Sequence, residues 1–200
     1  MHETTLLLPG WGTDPGRLAP LASRVRAAGT DTRVVPYSPE GTIDALARRL
    51  RDVAPAGVLH LVGHSLGGLV VAAAALRHLD ERVASVTTVN APWRGTWVAY
   101  TGDTTLTREL RWGSPVLDGL RDELAGHLAD PEGPRWLVVG MAGDLATPAS
   151  TSLTVPRGAR LERRLLPLTG HSTSLLATRL HEVVAEHVAA AARDDARRSA

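Results

Sequence analysis

Short apolar runs alternate along this chain with stretches that have helical periodicity. The runs are rich in Val and Leu, and they lie at residues 4–10, 32–37, 58–62, 83–90, 135–140 and 159–168. Between and after them, apolar residues recur at helical spacing at 15–28, 42–53, 66–79, 115–128 and 172–192. Apolar strands that alternate with helices favour a parallel sheet with helices on both faces. We therefore predict an α/β fold with a mostly parallel central sheet of about six strands, in a single domain over residues 1–200.

The composition excludes several classes of protein. A net charge of +1 provides no field for nucleic acid or an anionic membrane, and the absence of cysteine excludes a thiol nucleophile and thiolate metal sites. The N-terminal sequence MHETTLLLPG has neither the basic region nor the long apolar region of a signal peptide. No apolar run approaches the roughly 20 residues that span a bilayer. We expect a cytoplasmic protein without a transmembrane segment or a nucleic-acid partner; its oligomeric state stays open.

The segment Gly63-His64-Ser65-Leu66-Gly67 fits the pattern G-x-S-x-G and lies between a predicted strand and a predicted helix. A serine exposed on such a sharp turn needs small neighbours two residues away on each side. The turn also directs the Leu66 amide and the helix N-terminus at negative charge that forms beside Ser65. An incidental serine in a Gly-rich turn is the alternative. The strand-turn-helix context favours a nucleophile.

A serine nucleophile needs a base, and a neutral imidazole base needs a partner that fixes its tautomer. His171 follows a predicted strand, in a loop that opens at the same sheet edge as Ser65. His60 fits a hydrogen-bonded core residue, and the side chain of His64 is expected to point away along the turn. Asp144 directly follows another strand and is the preferred acid. The alternatives, if the segment after residue 90 folds over the site, are Asp118, Asp122 and Asp130.

An oxyanion hole needs a second donor besides the Leu66 amide. The first strand ends in LPGWGTD, and its loop belongs at the same edge of the sheet. We predict that the Trp11 amide is this donor and that its indole forms a wall of the pocket. A plain Gly-rich turn is the alternative.

These motifs resemble the α/β-hydrolases, and among them small bacterial lipases and esterases. The resemblance rests on LLLPGWG, GHSLGG, VNAPWRGT, AGDLATP and LTGHSTSLL, which are spread over nearly the whole chain. It implies a catalytic triad of Ser65, Asp144 and His171, with the Trp11 and Leu66 amides as the oxyanion hole. It implies two-step acyl transfer that needs no metal and no organic cofactor. The chain departs from the pattern at Pro9, where such lipases usually have His.

Three functions remain open from the sequence. The first is a carboxylic ester hydrolase of the lipase or esterase type, which acts on a small-molecule acyl ester. The second is a thioesterase or acyltransferase that acts on a carrier-bound or CoA-bound acyl chain with the same residues. The third is a non-catalytic binding protein on a hydrolase scaffold, against which the intact set of catalytic residues argues. Pocket shape decides between the first two.

Residues 91–131 break the alternation of strands and helices. We interpret them as a short insertion or lid that covers the pocket and sets acyl preference. The segment holds three of the five tryptophans, Trp93, Trp97 and Trp112. We predict that these residues bind substrate, because large amphipathic side chains suit a partly wet apolar wall. The many Gly and Thr residues suggest the looser packing of a mobile cover. Alternatively, the aromatic residues only pack the segment onto the domain.

Overall fold

The central sheet of the protein has six parallel strands. The structure is a computed structural model that describes residues 2–79, 82–167 and 169–198. The strands are β1 (Glu3–Leu8), β2 (Asp31–Val34), β3 (Val58–His64), β4 (Val83–Val89), β5 (Arg135–Met141) and β6 (Leu161–Leu166). Their order is β2-β1-β3-β4-β5-β6, and every neighbouring pair is parallel. The predicted α/β architecture is confirmed.

Helices cover both faces of this sheet, and each face has its own apolar core. The helices are α1 (Ala19–Ala27), α2 (Ile43–Val53), α3 (Leu66–Arg77), α4 (Thr105–Glu109), α5 (Pro115–His127), α6 (Ala149–Ser152) and α7 (Thr178–Arg198). One core contains buried residues of α2, α3 and α5, and the other contains those of α1 and α7. In the described ranges, no helix is both long and apolar enough to cross a bilayer.

The last two predicted elements have different boundaries in the structure. The strand predicted over 159–168 spans Leu161–Leu166, and Leu168 lies outside the described residues. Its side chains are at least partly exposed except for Leu166, because β6 is an edge strand with one neighbour in the described sheet. The helix predicted from 172 begins at Thr178 and continues to Arg198. A 3₁₀ helix, Thr173–Leu176, precedes it, and the extended backbone of Ala177 (ψ 118°) separates the two helices.

Residues 91–131 connect β4 to β5 and contain more regular structure than predicted. Besides α4 and α5 they form a 3₁₀ helix, Trp97–Thr101. Threonines cap these short helices: the Thr96 hydroxyl accepts from the Val98 amide, and Thr104 and Thr107 form a reciprocal capping box at the N-terminus of α4. The threonine content that suggested loose packing thus provides the caps of the short helices.

Candidate active site

Ser65 occupies a strained turn between β3 and α3. Its backbone has φ 54° and ψ −124°, a combination that side-chain-bearing residues rarely adopt. The two flanking glycines are required by close backbone contacts. A Cβ atom on Gly63 would lie 2.2 Å from the Gly67 carbonyl oxygen, and one on Gly67 would lie 2.4 Å from the Pro9 carbonyl oxygen. The turn therefore tolerates only glycine at these two positions.

The structure brings Ser65, His171 and Asp144 together at the carboxyl ends of β3, β6 and β5. His171 Nε2 lies 2.9 Å from Ser65 Oγ, and His171 Nδ1 lies 2.7 Å from Asp144 Oδ2. These contacts fit an imidazole that accepts from the serine hydroxyl and donates to the carboxylate. The side chains of the alternative acids are exposed, and that of Asp118 pairs with Arg121 at 2.6 Å.

The carboxylate of Asp144 is buried and fully hydrogen-bonded. Its Oδ1 accepts from the Ala146 and Thr147 amides, each at 2.9 Å, and its Oδ2 faces His171 and the Thr147 hydroxyl. Burial raises the pKa of Asp144, but the hydrogen bonds from His171 and Thr147 outweigh it and hold that pKa below its usual value. Asp144 is therefore an anion at neutral pH, suited to orient His171.

Two residues that the sequence analysis did not single out, Thr147 and Asn90, join this network. Thr147 Oγ1 lies 2.8 Å from His171 Nδ1, 2.9 Å from Asp144 Oδ2 and 3.0 Å from the Asn90 carbonyl oxygen. Asn90 follows β4 with a positive φ of 50°, and its side chain donates to the His171 carbonyl. Their sequence signals are the hydroxyl three residues after the acid in GDLATP and the Asn-Ala-Pro that follows β4.

A cavity of about 340 Å³ opens beside Ser65. Trp11 and Leu66, whose amides we expect to form the oxyanion hole, both line it. The wall is mostly apolar, and residues 91–131 contribute Pro92, Thr96, Val98, Ala99, Thr101 and Leu110. The Trp11 side chain is half exposed and also lines a second, proline-rich cavity of about 280 Å³. Trp11 thus belongs to the wall of the cavity beside Ser65, and the role of its indole there stays a prediction.

The three tryptophans predicted to bind substrate do not line this cavity. Trp93 is completely buried in the core, where its indole N–H donates to Thr88. Trp97 is half exposed and donates to the Leu145 carbonyl at 2.9 Å, which ties the segment to the loop that carries Asp144. Trp112 is exposed, with its ring centroid 5.8 Å from that of Tyr100. The segment thus contributes other side chains to the wall, because the Trp93 indole is packed in the core and the Trp97 and Trp112 side chains are half exposed outside the cavity lining.

In the part of the chain that the structure describes, no group of three or more His, Asp or Glu side chains is placed to hold a metal ion.

A family model described as alpha/beta hydrolase fold matches residues 8–114, more than half of the chain. The chain belongs to the α/β-hydrolase family. Ser65 lies inside the matched range, whereas Asp144 and His171 lie beyond it.

Solved structures with the same fold include enzymes of different chemistry. The chain is similar to a carboxylesterase structure from Nitrososphaera gargenis, with 13% identity, a TM-score of 0.67 and coverage of 96% of this chain and 92% of that one. It is similar to a bromoperoxidase from Bacillus anthracis, with 15% identity, a TM-score of 0.69 and coverage of 94% and 92%. Phospholipase PlaB from Legionella pneumophila, in complex with thio-NAD, is 15% identical with a TM-score of 0.58. The match covers 70% of this chain but only 38% of that chain. At these identities the likeness establishes the fold.

Proposed function

We propose that this α/β-hydrolase cleaves carboxylic esters, in the manner of a lipase or esterase, through an acyl-enzyme intermediate. The observation that carries the proposal is the continuous chain Ser65–His171–Asp144, with contacts of 2.9 and 2.7 Å, beside an apolar cavity. Family membership supports a hydrolase in general terms. The ester substrate and the roles below are our proposal.

The first half-reaction forms the acyl-enzyme. His171 Nε2 takes the proton of the Ser65 hydroxyl while Ser65 Oγ attacks the carbonyl carbon of the ester. The negative charge moves to the carbonyl oxygen, where the Trp11 and Leu66 amides stabilise it. When the tetrahedral intermediate collapses, the bond to the leaving alcohol breaks. His171 returns the proton to the alcohol oxygen, and Asp144 stabilises the transient imidazolium throughout.

The second half-reaction reverses these roles with water. His171 removes a proton from water, and the resulting hydroxide attacks the acyl carbon of the Ser65 ester. Collapse releases the carboxylic acid, and the proton returns to Ser65 Oγ. Serine and imidazole are therefore restored, and the reaction consumes only water.

The wall of the cavity favours an apolar acyl ester over an acyl-CoA. The described residues that line it include no arginine that would bind the phosphates of CoA or of a phosphopantetheine arm. Apolar side chains such as Val98 and Leu110 suit a hydrocarbon chain. The proposed substrate class is therefore an uncharged ester of a short or medium acyl chain, because the cavity holds about 340 Å³.

A matched substrate panel tests the proposal. The protein and its Ser65→Ala variant are assayed with p-nitrophenyl esters and CoA thioesters of the same graded acyl lengths. We expect Ser65-dependent release of p-nitrophenol and much slower release of CoA. Preferred cleavage of the CoA thioesters would assign a thioesterase instead. No turnover of either series would favour the non-catalytic binding protein.

A further inference from the structure

Three side-chain donors converge on the main-chain carbonyl oxygen of His171. His64 Nε2 lies 3.0 Å from this oxygen, Asn90 Nδ2 lies 3.1 Å away, and the Ser174 hydroxyl lies 2.7 Å away. A carbonyl oxygen has two lone pairs, so three donors saturate it. The loop after β6 is therefore fixed through its backbone at the residue that carries the proposed base.

The contact with His64 differs from the other two because His64 precedes the nucleophile in the chain. His64 is joined to Ser65 by a peptide bond, and its side chain is hydrogen-bonded to the His171 backbone. It therefore links the backbones of the two residues directly. The His64 ring lies 4.8 Å from the His171 ring, between centroids, and is almost completely buried. From its place in the turn, this side chain was expected to point away from Ser65; instead it faces the loop of His171.

The chemistry of the contact fixes the state of His64. A carbonyl oxygen only accepts, so His64 must carry its proton on Nε2. Burial, assisted by the neighbouring His171, lowers the pKa of His64 to about 3. The ring is therefore a neutral donor at neutral pH, and it adds no positive charge beside the imidazolium that forms on His171 during catalysis.

We propose that His64 is a positioning residue, whose Nε2–H group holds the His171 backbone so that the imidazole lies between Ser65 and Asp144. The inference rests on the proposed function, because the role is defined by the reaction of Ser65. His64 does not contact the reacting atoms. Its effect comes through geometry, and a displacement of about 1 Å of a catalytic group can reduce turnover about 100-fold.

The test compares His64→Leu with His64→Gln. Leucine removes the donor and keeps an apolar side chain in the buried site, whereas the glutamine amide nitrogen can occupy the place of Nε2. We expect His64→Leu to lower kcat about 10- to 100-fold with little change in KM. His64→Gln should recover most of this loss. If the leucine variant does not fold, His64→Asn replaces it, because its shorter amide cannot reach the His171 carbonyl.

His60 provides a matched control on the same strand. It is fully buried and lies 2.8 Å from the Ser85 hydroxyl through Nδ1, away from the proposed site. We expect His60→Leu to lower the melting temperature while kcat of the folded protein stays unchanged. An equal loss of kcat in His60→Leu and His64→Leu would overturn the inference. An increase in KM with unchanged kcat would also overturn it, and so would a kcat of His64→Gln no higher than that of His64→Leu.

A substrate-independent measurement separates this inference from the proposed function. The rate at which a fluorophosphonate modifies Ser65 depends on the serine-imidazole geometry and requires no particular ester. If Ser65 is modified but no ester is cleaved, the substrate proposal fails. The role of His64 is then still tested by comparing the rate of Ser65 modification in the His64 variants with that in the wild type. If wild-type Ser65 is not modified at all, both proposals fail.

Discussion

The two sides of the cavity beside Ser65 are built in different ways. On the side of the sheet edge, buried polar groups such as Asp144, Asn90 and Thr147 hold His171 by several hydrogen bonds. The other wall comes from residues 91–131 and is mostly apolar. The polar side has one geometry in which its groups are satisfied, whereas the apolar wall requires only the right volume. Changes on the first side should therefore abolish turnover, and changes on the second should alter substrate choice.

The largest effect is expected from removing the proposed nucleophile on the polar side. Ser65→Ala should lower kcat by about 10⁴- to 10⁶-fold, because no other group can form the acyl-enzyme. A fluorophosphonate should add a single adduct to the wild-type peptide that contains Ser65 and none to the variant, as measured by mass spectrometry. Unchanged modification of Ser65→Ala would place the nucleophile elsewhere.

The second-largest loss of turnover is expected from replacing Asp144, whose carboxylate faces His171. Asp144→Asn should keep the fold but lower kcat by about 10⁴-fold, because an amide can stabilise the wrong tautomer of His171 and cannot balance the imidazolium. Asp118→Asn is the control, since Asp118 is an exposed acid on α5, outside the cavity lining, that pairs with Arg121. Near-normal turnover of Asp144→Asn, with a large loss in Asp118→Asn, would reassign the acid.

The difference between the two sides also explains what could be predicted from the sequence. Ser65, Asp144 and His171 each follow a strand, and parallel strands end at one edge, so chain order and periodicity indicated that they would meet. His64 depends on the direction of a side chain within a turn, which the chain order does not specify. Trp93 was misassigned because an aromatic residue in an irregular segment has the same sequence signal in the core as on a pocket wall.

A third prediction concerns stability and compares two histidines buried at different places. Burial is the main cause that lowers the pKa of His64 to about 3 and of His187, on α7, to about 4, both below the usual 6.5. At a pH between these folded-state pKa values and 6.5, the two histidines therefore bind fewer protons in the folded state than in the unfolded state. Each histidine stabilises the fold fully above pH 6.5, and this contribution is lost as the pH falls. At pH 5 the loss is about 2 kcal/mol for each.

Urea unfolding at pH 7.5 and pH 5 measures this loss. His187→Leu should make the free energy of unfolding less dependent on pH and leave ester turnover unchanged. His64→Leu should reduce the pH dependence by a similar amount but lower turnover. If the pH dependence is the same in wild type and both variants, these histidines are not the groups that titrate on unfolding.

The smallest effect is expected from the apolar wall, where only substrate choice should change. Val98 lines the cavity beside Ser65 and is 38% exposed, so Val98→Phe can narrow the cavity without disrupting the core. We expect the ratio of long-chain to short-chain ester hydrolysis to fall about tenfold, the usual effect of small changes in pocket volume. Trp112→Ala is the control, because Trp112 belongs to the same segment but lies outside the cavity. An equal shift in both variants would mean that the segment acts through its packing, and an unchanged ratio in Val98→Phe would mean that the acyl chain binds elsewhere.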